Sequence, residues 1–436
     1  MNPIAKDLNA VIEAGNPYIY EMLSDIGRQL FFPKGILSQS AEAKEKAHAI
    51  NATIGIAKEG AGIMHFPSVM RLIEGLTPEE SLTYAPSFGI PGLRKQWQTE
   101  MRAKNPGLVG REISLPVVTC GITHAISIFA DLWTNPGDTV LLPDMMWGNY
   151  NMIMGVRKGV KITHFPLFDQ KGGFNLAAVE ARAKELAERD GKVIALFNFP
   201  HNPTGYSATE NECRALADIL TGIAESGKNV VAVLDDAYFG LFYEPEVMKE
   251  SLFAKLCGRH PRLLPIKLDG ATKENYVWGL RVGFITYGCA AASNLAGVHE
   301  ALEKKTAGCI RGNISNAAHL SQSLVLKSLL NDAYQTEKKE KFEILKNKAV
   351  RVKAVVHDSK YAGAWDVYPF NSGYFMCIRL KTVNAEKLRV HLLDKYGVGL
   401  ISIGDHDLRV AFSCIEESDV QLLFDTILKG VRDLEK

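Results

Sequence analysis

Residues 193–205 read VIALFNFPHNPTG, and residues 230–238 read VVAVLDDAY. Each stretch begins with a continuous run of apolar and β-branched residues and then turns polar, which is typical of a parallel strand buried on both faces of a sheet. The residues between them, 209–226, have the amphipathic pattern of a helix, as do residues 175–189. A third apolar run at 139–142 extends this alternation. The repeated strand–helix–strand pattern predicts an α/β fold with a mostly parallel sheet.

Polar or aromatic residues lie just beyond the predicted carboxyl ends of these strands. Trp147, Asn202 and Asp235 each follow one of the three apolar runs. Parallel α/β sheets bind their ligands at this edge. We therefore expect these three side chains to lie close together in one site.

The length and composition of the chain predict two domains. The 436 residues exceed one ordinary core, and a hydrophobic content of 47% is enough to fill two. Residues 320–334 and the charged stretch 335–349 have the pattern of one long helix that leaves the sheet domain. A second α/β unit is expected from about residue 345 to residue 436.

Charge and cysteine content narrow the kinds of partner. The formal charge of +1 comes from 50 basic and 49 acidic residues that are mixed along the chain. This pattern argues against a nucleic-acid or membrane surface and favours small-molecule partners. The seven cysteines include no Cys-x-x-Cys motif, which argues against a disulfide framework and a zinc site and favours the reducing cytoplasm. Charged residues interrupt the N-terminus (Lys6, Asp7 and Glu13), so no signal peptide or membrane span is expected there.

Five residues together suit one cofactor, pyridoxal 5'-phosphate. The chain carries them in the order Asn202, Asp235, Tyr238, Lys273 and Arg281. Pyridoxal phosphate needs an amine for its Schiff base, an anion facing its ring nitrogen, donors for its phenolic oxygen and cationic or hydroxyl groups for its phosphate. The five residues supply a candidate for each of these needs.

Taken singly, these residues have simpler explanations. Asn-Pro-Thr-Gly is a good turn sequence, and the pair Asp235-Asp236 could simply cap the next helix. Most lysines are solvated surface charges, but Lys273 lies in the small-residue turn Gly-Ala-Thr-Lys, which leaves room for a bulky cofactor. Trp147 could be a core aromatic or could stack on a planar ring.

In their order and spacing, the residues from about Gly55 to Arg409 resemble the fold-type I, class I aminotransferases, and within them the aspartate and aromatic aminotransferase group. The segment around Lys273 follows the lysine motif of that family at nearly every position, with Tyr276 where a small residue is usual. The resemblance implies that Lys273 is the Schiff-base lysine and the base that later moves a proton. It also implies that Asp235 holds the proton on the pyridine nitrogen.

The same resemblance assigns the remaining cofactor contacts. Tyr238 and Asn202 match the residues that bond the phenolic oxygen, and Trp147 matches the aromatic that stacks on the ring. The phosphate contacts are expected from Gly121, Ile122 and Thr123, which open a helix after the predicted strand 117–119, and from Thr272, Arg281 and, across a dimer, Tyr84. Two positions depart from the family: Gly270 stands where serine is common, and Tyr150 stands where a histidine usually supports the aspartate.

Substrate contacts follow from the resemblance as well. Arg409 matches the arginine that binds the α-carboxylate in a bidentate pair, and Gly55 matches a backbone donor to the same group. Arg311 matches the arginine that reaches into the site of the other subunit to bind a distal carboxylate, which favours dicarboxylic substrates. Tyr84 and Arg311 together imply a homodimer with shared active sites.

The resemblance implies a fold-type I pyridoxal-phosphate-dependent transferase with a large, mixed but mostly parallel sheet domain at 65–344 and a small α/β domain formed by 1–64 and 345–436. The expected reaction moves an amino group from an L-amino acid, namely aspartate, glutamate or an aromatic, to a 2-oxo acid such as 2-oxoglutarate. Two alternatives remain open: a lyase or decarboxylase with the same cofactor, and a non-catalytic aminotransferase-like ligand-binding module. Function depends on the site, so fold alone does not separate them.

Overall fold

The fold is taken from a computed structural model, which describes residues 1–31, 36–60, 62–291 and 293–435. Its strands are β1 (Ile50–Asn51), β2 (Lys58–Glu59), β3 (Gly62–Ile63), β4 (Val117–Thr119), β5 (Thr139–Pro143), β6 (Lys161–Phe165), β7 (Lys192–Asn198), β8 (Asn229–Asp235), β9 (Leu263–Gly270), β10 (Gly283–Tyr287), β11 (Trp365–Val367), β12 (Phe375–Leu380), β13 (Val398–Gly399), β14 (Ile401–Ile403) and β15 (Asp407–Ala411).

The α-helices are α1 (Pro3–Gly15), α2 (Pro17–Met22), α3 (Asp25–Gln29), α4 (Ile36–Lys46), α5 (Pro67–Leu72), α6 (Pro78–Ser81), α7 (Pro91–Lys104), α8 (Gly121–Trp133), α9 (Leu176–Asp190), α10 (Glu210–Glu225), α11 (Leu252–Leu256), α12 (Ala271–Glu274), α13 (Leu295–Asn313), α14 (His319–Leu329), α15 (Tyr334–Val356), α16 (Ala385–Tyr396) and α17 (Val420–Leu434). In the part of the chain that the structure describes, no helix is long and apolar enough to cross a membrane.

The larger sheet has seven strands in the order β4-β10-β9-β8-β7-β5-β6. Strand β10 runs antiparallel to both of its neighbours, whereas the pairs from β9 to β6 are parallel. The two quoted stretches form the adjacent central strands β7 and β8, and every residue of β8 after Asn229 is buried. The predicted α/β class with a mixed, mostly parallel sheet is confirmed.

The helix between β7 and β8 begins where its sequence provides a cap. The Thr209 hydroxyl accepts from the backbone N–H of Glu212, and the Glu212 carboxylate accepts from the backbone N–H of Thr209, so two helix-end donors are satisfied. The buried face of α10 carries apolar residues such as Leu216 and Leu220, which pack toward the sheet. Local capping and an amphipathic pattern explain why the predicted range 209–226 lies so close to the observed one.

A second, four-stranded antiparallel sheet has the order β11-β12-β15-β14. The parallel pair β1–β13 brings Ile50 beside Val398, so a segment near the N-terminus packs with the C-terminal region. This pairing is consistent with a small domain built from both ends of the chain. The boundaries 65–344, 1–64 and 345–436 stay a prediction; position 344/345 lies inside α15, and residues 32–35, 61, 292 and 436 lie outside the described residues.

The predicted single helix over 320–349 is wrong, because α14 ends at Leu329 and α15 begins at Tyr334. At the break, the Asn331 side chain accepts a hydrogen bond of 3.0 Å from the backbone N–H of Ala333. Asparagine side chains compete in this way with the helical hydrogen-bond pattern. The amphipathic pattern continues across the break, so periodicity alone did not reveal it.

Candidate active site

The predicted site residues gather at one edge of the larger sheet. Strands β4, β7, β8 and β9 all end at this edge. The antiparallel strand β10 begins there, since its first residue, Gly283, pairs with Gly270 at the end of β9 and with Thr119 at the end of β4. Asn198 at the end of β7 pairs with Asp235 at the end of β8. Parallel strands therefore deliver their following residues to one place, as expected for a ligand site of an α/β sheet.

A cavity of about 250 Å³ lies at this edge. It is lined by most of the predicted site residues and by five others: Gly55, Ile122, Thr123, Trp147, Asn202, Asp235, Tyr238, Thr272, Lys273, Arg281 and Arg409, together with Tyr150, Asn198, Ala237, Trp278 and Phe375. Gly121 lies against the Arg281 guanidinium. Tyr84 and Arg311 do not line the cavity within one chain; Tyr84 is 91% exposed, and Arg311 donates to the Ser315 hydroxyl over 2.6 Å.

Asp235 is buried at the end of β8 and holds several hydrogen bonds. The Tyr150 hydroxyl donates to its Oδ2 over 2.5 Å, and the backbone N–H of Ala237 donates to its Oδ1 over 3.1 Å. Burial raises the pKa of the Asp235 carboxyl to about 6, and the Tyr150 hydroxyl and the Lys273 ammonium oppose that rise. Tyr150 thus supports the aspartate from the position where the family usually has histidine.

Replacing Tyr150 with phenylalanine should raise the pKa of Asp235 further, because the carboxylate loses a donor. A hydrogen bond to a charged group contributes roughly 1.5–3 kcal/mol, so we expect a rise of about one to two pH units. If Asp235 must be ionised for activity, the variant should lose activity at a higher pH than the wild type does when the solution is acidified. The acid limb of its kcat/KM profile should therefore shift to higher pH. Tyr206→Phe is the control, since Tyr206 donates to Glu212 instead; an acid limb that stays in place in Tyr150→Phe would contradict this account.

Lys273 lies in the short helix α12, which directly follows β9. Its Nζ is 4.9 Å from the centroid of the Tyr238 ring. Burial lowers the pKa of the Lys273 ammonium to about 8, Asp235 opposes this change and the Arg281 charge adds to it. The Tyr374 hydroxyl donates to the Lys273 carbonyl over 3.0 Å, which fixes the backbone of this lysine. A lysine with such a pKa has an appreciable neutral fraction near neutral pH, as a nucleophile or base requires.

The N-terminus of α8 and its neighbours fit an anionic group. The first N–H groups of a helix are free to bind a phosphate. Gly121 opens α8 with φ of +77°, and a Cβ there would lie 2.5 Å from Nη2 of Arg281, so glycine lets the guanidinium approach. The Thr272 hydroxyl is buried without a hydrogen-bond partner among the described residues. An orphaned hydroxyl, a guanidinium and a helix N-terminus together match the donors that a phosphate needs.

Packing of the sheet explains Gly270. A Cβ at this position would lie 2.7 Å from the Val282 carbonyl oxygen and 3.1 Å from the Gly283 Cα. The close approach of β9 and β10 at this edge therefore excludes a side chain. The hydroxyl that a serine would supply in relatives has no room here.

Arg409 is almost completely buried on β15, with 1% of its surface exposed. Its Nη1 donates to Oδ1 of Asn202 over 3.0 Å, and its Nη2 donates to the Thr53 carbonyl over 2.8 Å. The guanidinium carbon lies 4.2 Å from the centroid of the Phe375 ring, and Nε has no partner among the described residues. Among the described residues no carboxylate pairs with this buried cation, which lines the same cavity as Gly55 and suits binding of a carboxylate from a ligand.

The structure adds two residues that sequence reasoning missed. The Asn198 side chain donates to the backbone carbonyl of Asp235 over 2.7 Å and accepts from the backbone N–H of Asn202 over 2.8 Å. It therefore joins the two predicted motifs. An asparagine inside the apolar run 193–199 was the signal that could have identified it. Phe375 is distant in the sequence from these two motifs, and no local sequence pattern indicated that it belongs to the site.

The alternative explanation of Asp236 as a helix cap is wrong. Asp236 is buried, forms an ion pair with Lys267 and accepts from the Ser251 hydroxyl over 2.5 Å. Residues 237–240, which follow it, form a turn rather than the start of a helix. Lys267 is itself buried on β9. Because lysines usually lie on the surface, the sequence alone did not indicate this ion pair.

Comparison with known proteins agrees with this geometry. A profile of the family described as aminotransferase class I and II matches residues 48–427. The match covers most of the chain, so the protein belongs to this family and is an enzyme, an aminotransferase. The resemblance stated from the motifs is confirmed.

Individual relatives are distant. An aspartate aminotransferase from Sulfurisphaera tokodaii is 24% identical over 382 residues, which cover 84% of this chain and 88% of that protein. Among solved structures, an aminotransferase from Anaerococcus prevotii has a TM-score of 0.82 at 22% identity, covering 94% of this chain and 99% of that one. An aromatic amino acid aminotransferase from Burkholderia cenocepacia has a TM-score of 0.72 at 20% identity, covering 95% and 99%. These structures establish the fold-type I architecture.

Proposed function

We propose that the protein is a pyridoxal-phosphate-dependent aminotransferase that moves the amino group of an L-amino acid, namely aspartate, glutamate or an aromatic, to a 2-oxo acid such as 2-oxoglutarate. One observation carries this proposal. Lys273, Asp235 and Arg409 line a single cavity, with a lysine of lowered pKa, a buried carboxylate and a buried arginine that has no carboxylate partner in the part of the chain that the structure describes. These are the groups that amino transfer on this cofactor requires.

The residues that would hold the cofactor follow from the chemistry of their side chains. Its phosphate would be held by the start of α8 and by Thr272 and Arg281, and its ring nitrogen by Asp235. Asn202 and Tyr238 would donate to its phenolic oxygen, and Trp147 would cover its ring. When bound, pyridoxal phosphate supplies an electron sink for the negative charge that develops at the substrate α-carbon.

The residues of the chain then provide positioning and proton transfer. Arg409 binds the α-carboxylate and so orients the substrate, and the N–H of Gly55 assists. Lys273 Nζ would take a proton from the substrate α-carbon and would deliver it to C4′ of the cofactor. Its pKa of about 8 suits both roles near neutral pH. Asp235 provides a buried negative charge that would keep the ring nitrogen of the cofactor protonated, and a fixed charge acts strongly in such a setting.

Two arginines should differ in their effects on specificity. Arg409→Ala should lower kcat/KM for aspartate and for an aromatic amino acid alike, because both carry an α-carboxylate. Arg311→Ala should weaken only dicarboxylic substrates, by roughly 2–5 kcal/mol if a buried carboxylate loses its partner. Lys305→Ala, on the exposed face of the same helix α13, is the control. An equal loss for both substrate types in Arg311→Ala would show that Arg311 is structural.

The proposal includes a homodimer with shared sites, in which Arg311 and Tyr84 act across the interface. Both side chains are exposed in the single chain, as a residue that acts in another subunit must be. Mixing Lys273→Ala chains with Arg311→Ala chains tests this arrangement. A heterodimer would have one site that lacks both residues and one intact site, so dicarboxylate activity should return. No return of activity would contradict sharing of the sites.

The half-reaction separates amino transfer from the alternatives. Purified protein mixed with an amino acid, but without a 2-oxo acid, should release 2-oxo acid in an amount equal to the number of subunits and then stop. Addition of 2-oxoglutarate should restart it. A lyase or decarboxylase would continue without an acceptor, and a non-catalytic module would release nothing.

The seven cysteines are free thiols, which supports the cytoplasmic location that we also propose.

A further inference from the structure

Six charged residues form one cluster next to the site, which we call the charge cluster; four of them are buried, and Lys104 and Lys338 are half-buried. It contains three lysines and three carboxylates, so its formal charges cancel: Lys104, Lys267, Lys338, Asp236, Asp269 and Glu274. None of the six lines the cavity. Two of the carboxylates directly follow proposed site residues, since Asp236 follows Asp235 and Glu274 follows Lys273.

One half of the charge cluster surrounds Glu274. Both carboxylate oxygens accept from Lys104 Nζ at 3.0 Å, and Oε1 also accepts from Lys338 Nζ at 2.5 Å. The Glu274 side chain is 6% exposed. Although burial raises the pKa of this carboxyl, the two ammonium groups outweigh burial and lower it to about 2. Gly240 packs against the carboxylate, since a Cβ there would lie 3.0 Å from Oε1.

The other half joins Asp236, Lys267 and Asp269. Lys267 Nζ pairs with Asp236 and lies 3.6 Å from Oδ2 of Asp269, which also accepts from the Trp97 indole N–H over 3.2 Å. The ring of Phe239 links the two halves, because Lys267 Nζ lies 4.5 Å and Lys104 Nζ 5.8 Å from its centroid.

The lysines that hold Glu274 come from distant parts of the chain. Lys104 ends α7, and Lys338 lies in the first turns of α15, the helix that leads to the second sheet. Both ammonium groups converge on the residue that ends α12. That helix has only four residues, too few to hold its own shape in isolation. Its geometry must therefore come from contacts such as these.

We propose that Glu274, held by Lys104 and Lys338, is a positioning residue that fixes α12 and thereby aims the side chain of Lys273 into the cavity. This inference rests on the proposed role of Lys273 for its catalytic consequence. The Tyr374 hydroxyl on the Lys273 carbonyl provides a second anchor, so the reactive lysine is held on both sides. A lysine that forms and breaks bonds needs such preorganisation, because small displacements of a reacting group are costly.

The charges of the anchor allow a matched set of variants. Glu274→Gln leaves the two half-buried ammonium groups of Lys104 and Lys338 close together without their shared counterion. Glu274→Gln combined with Lys338→Met removes one cation as well, and so restores charge balance. Lys338→Arg keeps the charge. Lys341→Met is the control on the same helix, because Lys341 pairs with Glu59 rather than with Glu274, and its side chain, 5% exposed, is more buried than that of Lys338 at 22%.

Hydrogen exchange of the cofactor-free protein measures the positioning itself. In Glu274→Gln, amide hydrogens of residues 271–276 should exchange at least about tenfold faster than in the wild type. The double variant should recover part of this protection, Lys338→Arg most of it, and Lys341→Met should leave it unchanged whatever its Tm. This measurement does not depend on whether Lys273 is the reactive amine.

Kinetics of the complete enzyme then test the consequence. Glu274→Gln should lower kcat by about 10- to 100-fold with KM within a few-fold of the wild type, as expected for misplacement of a reacting group. The double variant should lose less than Glu274→Gln alone. The proposal would be overturned if Glu274→Gln left exchange unchanged, or if its kcat stayed normal despite faster exchange. It would also be overturned if the losses in the double variant were additive, or if Lys341→Met had the same effects as Glu274→Gln. If Glu274→Gln does not fold, Lys338→Met, which replaces a side chain 22% exposed, should show the same pattern more weakly, and its absence there would overturn the proposal.

Discussion

Replacing Lys273 with alanine should lower kcat by at least about 10⁴-fold, the upper range for one positioned acid–base group. The expected loss is large because this single amine has two proposed tasks, attachment of the cofactor and transfer of the substrate proton. Among the residues that the structure describes, it is the lysine that lines the cavity, and its pKa is lowered to about 8. The measurement is kcat for the full reaction, together with the amount of cofactor that remains after dialysis.

Controls separate this effect from loss of folding. Lys304→Ala removes an ammonium group that is 64% exposed and should leave kcat and Tm unchanged. Lys273→Ala should keep its sheet and its Tm in the cofactor-free state, because burying an uncharged alanine there removes a desolvated charge. Activity of Lys273→Ala within tenfold of the wild type would show that another group moves the proton.

Asp235→Asn should lower kcat by about 10²–10³-fold, the usual loss when one preorganised electrostatic contact is removed. Asparagine keeps the shape but cannot supply the negative charge, so the cofactor should still bind and be a poor electron sink. The measurement is kcat with saturating cofactor, alongside Tm. We expect Tm to rise or stay level, because burial disfavours the charge of Asp235 in the folded protein.

The neighbouring aspartate offers a matched comparison. Asp236→Asn weakens the ion pair with Lys267, a residue that is 1% exposed, although Asp269 remains 3.6 Å from Lys267. Breaking a buried pair is strongly destabilising, so Tm should fall while kcat per folded molecule stays well above that of Asp235→Asn. Equal loss of kcat in the two variants, or a greater loss in Asp236→Asn, would reverse the assignment of their roles.

Much of the site could be predicted because it follows strand ends. Asn202 comes just after one apolar run, and Asp235 comes at the end of another. The carboxyl ends of parallel strands meet at one edge of the sheet, so these residues come together whatever the details of packing. Lys273 was marked by small residues and by its spacing from Arg281. These signals are local, and local patterns can be recognised in a single sequence.

Features that depend on distant partners could not be predicted in the same way. Asp236 has the same local pattern as a helix cap, and only its contact with Lys267 on the next strand reveals an ion pair. Glu274 meets lysines 170 and 64 residues away in the chain. Gly270 lacks a side chain because of the Val282 carbonyl, just before β10. The break between α14 and α15 depends on one asparagine turn, which leaves the amphipathic pattern intact.

The most direct test of the central claim is chemical attachment of the cofactor. Protein supplied with pyridoxal phosphate is reduced with borohydride, digested and mapped by mass spectrometry. We expect the label on the peptide that contains Lys273, with none in Lys273→Ala and an unchanged label in Lys304→Ala. A label on a different lysine, or no specific label on any lysine, would contradict the proposal that this cavity binds pyridoxal phosphate through Lys273.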